Sequence, residues 1–252
     1  MSVEQNHWSV YRKMLGGWEA TVPLCADAPD ALLEWVVEVI DAGYRTEVAR
    51  FRKEDGTYWP RDELVAWLER GLAERQVVDA FAFARRFDRV GSKIAYIDER
   101  GITEGLVDDV GALLRRLRGP EIGEQTYASR TCAPLWIGGH AINFDPAWTG
   151  PMAARNLPST NLDITFECDI WLPWVPGRFD LSDRETFYDN RPLAERHTPR
   201  LNEFLAAVRA ASVARGGGWE VVRLSERPWL PRMLVDDGID LAAAAPLMKE
   251  ER

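Results

Sequence analysis

The chain has 252 residues, is 46% hydrophobic and carries a formal net charge of −9. It is long enough to bury a sizeable core, and it contains no run of about 18 apolar residues that would span a membrane. Its excess of negative charge argues against binding to the phosphates of nucleic acid. The first residues lack the basic and apolar regions of a secretory signal, so we expect a cytoplasmic protein.

The first half of the chain alternates between helical and strand-like patterns. Its first 26 residues show no regular period, and we expect an irregular segment packed on the core. Helices are predicted where apolar residues recur every three or four positions: 27–43, 60–76 and 103–118. Strands are predicted where apolar residues alternate or cluster between turn signals: 45–52, 77–87 and 93–98.

The second half is predicted to contain one helix and several strands. Strands are expected at 134–137, 162–172 and 219–224. The prolines at 173 and 176 should stop strand pairing, and residues 178–197 should form a charged loop. The pair Thr198-Pro199 has the composition of a helix start, and Gly216 should end that helix.

These elements predict an α+β fold with a mixed, largely antiparallel sheet and about four flanking helices. The polar, glycine-containing stretch 119–131 is the best candidate boundary. We therefore expect one compact unit of two α+β halves, residues 1–118 and 119–252, which together could form a single domain.

The sequence L-D-I-T-F-E-C-D-I-W-L, residues 162–172, alternates without interruption. Successive side chains of a strand point to opposite faces, so the apolar residues lie on one face. The other face is predicted to carry Asp163, Thr165, Glu167, Asp169 and Trp171. We expect a central strand with a core face and an acidic face that also bears an indole.

Three interpretations of this acidic face compete. It is a solvated polar surface, a contact surface for a basic partner, or a general acid–base or hard-cation site. No lysine lies close in sequence to Glu167 and Asp169, and the chain has only three histidines. We therefore expect no metal site. The three cysteines are far apart, which predicts neither a disulfide framework nor a zinc site.

The chain contains 11 tryptophans. Tryptophan is enriched at interfaces and lines ligand clefts, but it is also a core residue. Trp171 and Trp174 follow the acidic strand, and alternation places Trp171 on the carboxylate face. His197 precedes Thr198 and is expected just before a helix.

The function predicted from these features is a cytoplasmic binding protein of the inhibitor or immunity type, which holds a basic partner on its acidic sheet face. The predicted binding residues are Asp163, Glu167, Asp169, Trp171 and Trp174. The alternative is a hydrolase that uses Glu167 and Asp169 as acid–base groups or metal ligands in a tryptophan-lined cleft. A third possibility is a regulatory module without chemistry of its own. No cofactor is expected.

Overall fold

The structure is a computed structural model, and it describes the following residues: 15–49, 51, 53, 58–78, 92–98, 101–107, 135–139, 142–147, 159–166, 171–176, 187–222 and 230–245. Its main element is a four-stranded antiparallel sheet with the strand order β10-β1-β7-β5. The strands are β1 (Gly16–Val22), β5 (Trp136–Gly139), β7 (Thr160–Phe166) and β10 (Gly218–Val222). The strand predicted at 162–172 therefore has an inner position in the sheet, between β1 and β5, but it ends at Phe166.

The described residues also contain four two-stranded antiparallel ribbons. They are β2 (Val77–Val78) with β6 (Ile142–Asn143), β3 (Ser92–Asp98) with β4 (Gly101–Val107), β8 (Trp174–Pro176) with β9 (Phe187–Asp189), and β11 (Leu234–Val235) with β12 (Gly238–Ile239). All these pairings join neighbouring segments except the first, which brings residues from the two halves of the chain together.

Three α-helices lie within the described residues: α1 (Pro29–Arg45), α2 (Arg61–Ala73) and α3 (Arg191–Val213). α1 contacts both other helices, and α3 also contacts β1 and β10. Each helix buries an apolar stripe, as the sequence predicts. On α3 the stripe consists of Leu201, Phe204, Leu205 and Val208, all of which are fully buried.

The core lies between these helices and one face of the sheet. The inward side chains of β1 and β7 include Trp18, Ile164 and Phe166, which are completely buried. The rings of Trp18 and Phe166 stack with their centroids 6.0 Å apart. Alternation along β7 is confirmed by the burial of Leu162, Ile164 and Phe166, but Thr165, predicted on the outward acidic face, is also buried.

Helices combined with antiparallel sheets confirm the α+β class, although three helices rather than four lie within the described part of the chain. β1 comes from the first half of the sequence and lies between β7 and β10 of the second half. The division at residue 118 remains a prediction, because residues 108–134 are outside the described ranges. No helix in those ranges is both long and apolar enough to cross a membrane.

The prediction of an irregular N-terminal segment is wrong for residues 16–22, which form β1. The segment has the alternating pattern of a strand, with Trp18, Ala20 and Val22 buried, but the two glycines at its start, Gly16 and Gly17, weaken the local signal.

The strand predicted at 45–52 is also wrong where the chain is described. Helix α1 continues to Arg45, and the Thr46 hydroxyl donates a hydrogen bond of 2.8 Å to the Ala42 carbonyl in its last turn. Glu47 then adopts a positive φ of 55°, which interrupts an extended conformation.

Thr103 does not begin a helix, because it lies in β4 opposite Tyr96 of β3. The capping preference of threonine is a weak local signal, and a seven-residue hairpin pairing overrides it. The remainder of that predicted helix, from residue 108 onward, lies outside the described residues.

Two further predictions near α3 are wrong. Residues 174–176 do pair, with β9, and the predicted loop 178–197 contains both β9 and the start of α3. α3 begins at Arg191 with Pro192 in its first turn, so Pro199 lies inside the helix. The Thr198 hydroxyl donates to the Trp171 carbonyl at 2.7 Å instead of capping a helix.

Candidate functional site

Three carboxylates lie side by side on the sheet face that points away from the core. Glu19 of β1 is aligned with Glu220 of β10 on one side and with Asp163 of β7 on the other. Residues that are directly opposite in neighbouring strands project from the same face. We call Glu220, Glu19 and Asp163 the acidic row.

The spacing of the acidic row follows from sheet geometry. Neighbouring strands lie about 4.7–4.9 Å apart, and directly opposite Cβ atoms are about 4.5–5.5 Å apart. The row therefore extends roughly 10 Å across three strands. Glu220 is exposed, whereas Glu19 and Asp163 are half-buried.

Within the described ranges, the carboxylates of Glu19 and Glu220 form no salt bridge. Like charges that are directly opposite in a sheet destabilise it. Glu19 and Glu220 are thus a like-charged cross-strand pair and a source of negative potential at the surface.

Gly17 allows β1 and β7 to come close beside the row. A Cβ atom at this position would lie 2.1 Å from the Ile164 carbonyl oxygen and 2.8 Å from the Thr165 Cα. On the other side of β7, Gly138 of β5 is aligned with Asp163. Glycine residues therefore lie next to the acidic row in both β1 and β5.

Of the predicted binding residues, Asp163 lies on the expected face, opposite the core. Glu167 and Asp169 are outside the described residues. Glu19 and Glu220 were missed by the sequence reasoning. Each stands between apolar residues of an alternating pattern, and this signal would have placed both on an outward face.

The expected placement of Trp171 on the carboxylate surface is wrong. Its side chain is only 2% exposed, and its ring meets that of His197 edge-on at a centroid distance of 6.5 Å. β7 ends at Phe166, so the alternation that would put Trp171 on the acidic face does not extend to it. Trp171 is a core residue in this structure.

Trp174 is half-buried and sits in β8. Its indole N–H donates a hydrogen bond of 2.7 Å to the Ala243 carbonyl. The Arg191 guanidinium lies 5.0 Å from the ring centroid and forms a salt bridge with Asp189 at 2.6 Å. The hydrogen bond from Arg191 lowers the pKa of Asp189 below its ordinary value.

Other tryptophans also donate their indole N–H groups within the chain. Trp18 donates to the Val235 carbonyl at 3.0 Å, and Trp219 donates to the Asp236 carbonyl at 2.7 Å. With Trp174, they hold the C-terminal segment 230–245 against the body of the protein. The high tryptophan content is thus used, at these positions, to support the fold.

His197 lies within α3 rather than before a helix, so its predicted position at a helix start is wrong. It is buried, and Arg200 Nη2 donates to its Nδ1 at 2.9 Å. This arrangement places the ring in the packing between α3 and Trp171.

A shallow groove of about 480 Å³ runs between α1 and α3. Alanines and charged residues line it, among them Ala42, Ala211, Glu38 and Arg215. Arg215 donates to both carboxylate oxygens of Glu38, at 3.0 and 2.8 Å, and this pairing raises the pKa of Arg215. Of the predicted binding residues that the structure describes, Asp163, Trp171 and Trp174, none lines this groove.

Among the residues that the structure describes, no group of three or more histidine, cysteine, aspartate or glutamate side chains could hold a metal ion. Comparisons of the chain with protein-family models, with curated proteins and with solved structures found no match. The site is therefore interpreted from its own geometry.

Proposed function

We propose that this protein is an acidic binding protein of the inhibitor or immunity type, which holds a basic partner on the sheet face that carries the acidic row. The observation that supports the proposal is the alignment of Glu220, Glu19 and Asp163 across three adjacent strands. A basic side chain placed over the row would interact with more than one carboxylate.

Electrostatics supports this proposal in two ways. A partner's lysine or arginine would relieve the repulsion between directly opposite carboxylates, which costs the free protein stability. The net charge of −9 would also speed the diffusional encounter with a basic protein. Both contributions weaken as salt concentration rises.

Glu167, Asp169 and Trp174 remain predicted contact residues under this proposal, whereas the buried Trp171 does not. The alternative, a hydrolase that uses Glu167 and Asp169, depends on residues outside the described part of the chain. A substrate-sized cleft with a catalytic carboxylate would favour the enzyme, and a broad acidic surface favours the binding protein.

The test compares two triple variants that lose the same amount of negative charge. The row variant carries Glu19→Gln, Asp163→Asn and Glu220→Gln. The control variant carries glutamine in place of three exposed glutamates, one on each helix: Glu34, Glu69 and Glu195. Each protein is immobilised and used for capture from native lysate at low and high salt, and association rates are measured for any basic protein retained.

We expect the wild type and the control variant to retain a stoichiometric basic protein that the row variant releases. The row variant should associate more slowly, and its rate should depend less on salt. Equal retention by the row variant and the wild type would refute the proposal. Thermal melts of all three proteins show whether a loss of binding reflects unfolding.

A further inference from the structure

β10 is an edge strand of the four-stranded sheet, and it carries Glu220. It pairs with β1 on one side, and no residue in the described ranges pairs with its other side. An unpaired edge presents backbone N–H and C=O groups that can bind another strand. Gly218 and Glu220 are exposed, and Trp219, Val221 and Val222 are half-buried, so no residue of this strand is fully covered.

The side chains of β10 have different chemistry on the two faces of the sheet. Glu220 belongs to the acidic row, whereas Trp219 and Val221 lie on the core face, where they are half-buried and pack against the core. A strand added at this edge would therefore meet a carboxylate on one face and apolar side chains on the other.

A second copy of this chain fits the edge poorly. If two β10 strands paired antiparallel over all five residues, Glu220 would lie directly opposite Glu220 of the other copy. Like charges in this position are destabilising, and Glu19 in the next strand adds to the repulsion. The charge of the edge favours a basic occupant.

We propose that the outer edge of β10 takes up an extended basic segment of the partner as a fifth strand. A lysine or arginine of this segment is aligned with Glu220, and the apolar residues on either side of it are aligned with Trp219 and Val221. The inference rests on the proposed function, because it specifies how the basic partner docks. Strand addition supplies affinity through main-chain hydrogen bonds and specificity through alternate side chains.

The geometry also explains why the row extends inward from the edge. The added basic residue is one strand spacing from Glu220 and about two spacings, roughly 9–10 Å, from Glu19. The distance to Glu220 is shorter than the Debye length of about 8 Å at physiological salt, and the distance to Glu19 slightly exceeds it. Glu220 therefore attracts the incoming segment more strongly, and Glu19 adds a weaker attraction that grows at low salt.

The probe is a synthetic peptide with blocked ends that alternates valine and lysine over the length of β10. One matched peptide has glutamate in place of lysine, and another has N-methylated amides, which cannot donate main-chain hydrogen bonds. Each is titrated into isotope-labelled protein, with chemical shifts and amide hydrogen exchange followed by NMR.

We expect the lysine peptide to bind and to slow exchange in residues 218–222, and neither matched peptide to do so. Glu220→Gln should weaken binding by about two- to fivefold at low salt, the range expected for one cross-strand charge pair. Glu69→Gln, an exposed charge change on α2, should leave binding unchanged. If the Glu220 variant fails to fold, the comparison of the three peptides on the wild-type protein still tests whether β10 accepts a basic strand.

Unchanged exchange in β10 with the lysine peptide, or equal protection by the glutamate peptide, would overturn the proposal. The proposal would also be overturned if, without peptide, the protection of β10 amides from exchange increased with protein concentration. A second copy of the chain would then occupy the edge. If a partner requires the acidic row but leaves β10 exchange unchanged in the complex, the proposed function stands and strand addition fails.

Discussion

Replacing Gly17 by alanine should disrupt the contact between β1 and β7 that aligns Glu19 with Asp163. The new Cβ atom would lie 2.1 Å from the Ile164 carbonyl oxygen, whereas ordinary van der Waals contacts begin at 3.4 Å. The Thr165 Cα would be 2.8 Å away. Both obstacles are backbone atoms, so only a separation of the two central strands relieves the clash.

Overpacking of a protein interior costs typically about 1–3 kcal/mol, and occasionally more. Because side-chain rotation cannot relieve this clash, we expect Gly17→Ala to lower the free energy of unfolding by about 3 kcal/mol or more. For a protein of this size, 1 kcal/mol corresponds to about 2–4 °C in Tm. The expected decrease in Tm is therefore about 6–12 °C.

Gly218→Ala and Gly138→Ala are matched controls in the same sheet. A Cβ atom at either position would have no heavy atom within 4 Å, and neither glycine has a positive φ. Since glycine in a strand is about 0.5–1 kcal/mol less stable than alanine, both controls should be neutral or slightly stabilising. Thermal melts and denaturant titrations of the three variants provide the measurement.

A Tm for Gly17→Ala within about 2 °C of the wild type would refute this reasoning, because β1 and β7 could not then approach as closely as described. A large destabilisation by Gly218→Ala as well would indicate a general intolerance of the sheet to alanine rather than a clash at one position.

Three other changes test the packing around the sheet. Phe166→Ala, which removes a buried ring that stacks on Trp18, should lower the free energy of unfolding by about 3–5 kcal/mol in denaturant titrations. Asn202→Ala removes two hydrogen bonds to the Ile239 backbone, both of 2.9 Å, and should cost about 1–3 kcal/mol and accelerate amide exchange in β11 and β12. Asp189→Asn should lower the unfolding free energy by less than about 1 kcal/mol at neutral pH, because its salt bridge is exposed. The pKa of Asp189 is lowered by Arg191, so this contribution is present above the ordinary value of 3.8 and is lost as pH falls through the lowered folded-state value. Melts of the two proteins should therefore differ at neutral pH and converge in strong acid, and a difference that persists in acid would contradict this origin.

Much of the local structure could be predicted from the sequence. Alternation identified β7 and its buried face, and helical periodicity identified α1, α2 and the inward stripe of α3. α3 ends at Val213, three residues before the predicted stop at Gly216, which lies in the following turn with a φ of 75° that suits glycine. These features depend on residues close together in the chain, whose side-chain directions follow from a single backbone conformation.

Signals that rest on one or two residues were less reliable. Threonine is a preferred residue at helix starts, yet Thr103 lies in a hairpin and Thr198 lies inside a helix. The Thr198 hydroxyl bonds to the Trp171 carbonyl, a contact made possible only by packing. Hairpin pairing at Thr103 and tertiary packing at Thr198 thus override the local capping preference of threonine.

Alternation in the sequence determined which face of β7 Asp163 occupies, since side-chain direction within a strand follows from the backbone. It could not determine where the strand ends, and Trp171 is buried because β7 stops before reaching it. Nor could it determine the neighbours of β7. Glu19 and Glu220 are far from Asp163 in sequence, and only antiparallel pairing through β1 brings the three carboxylates into one row.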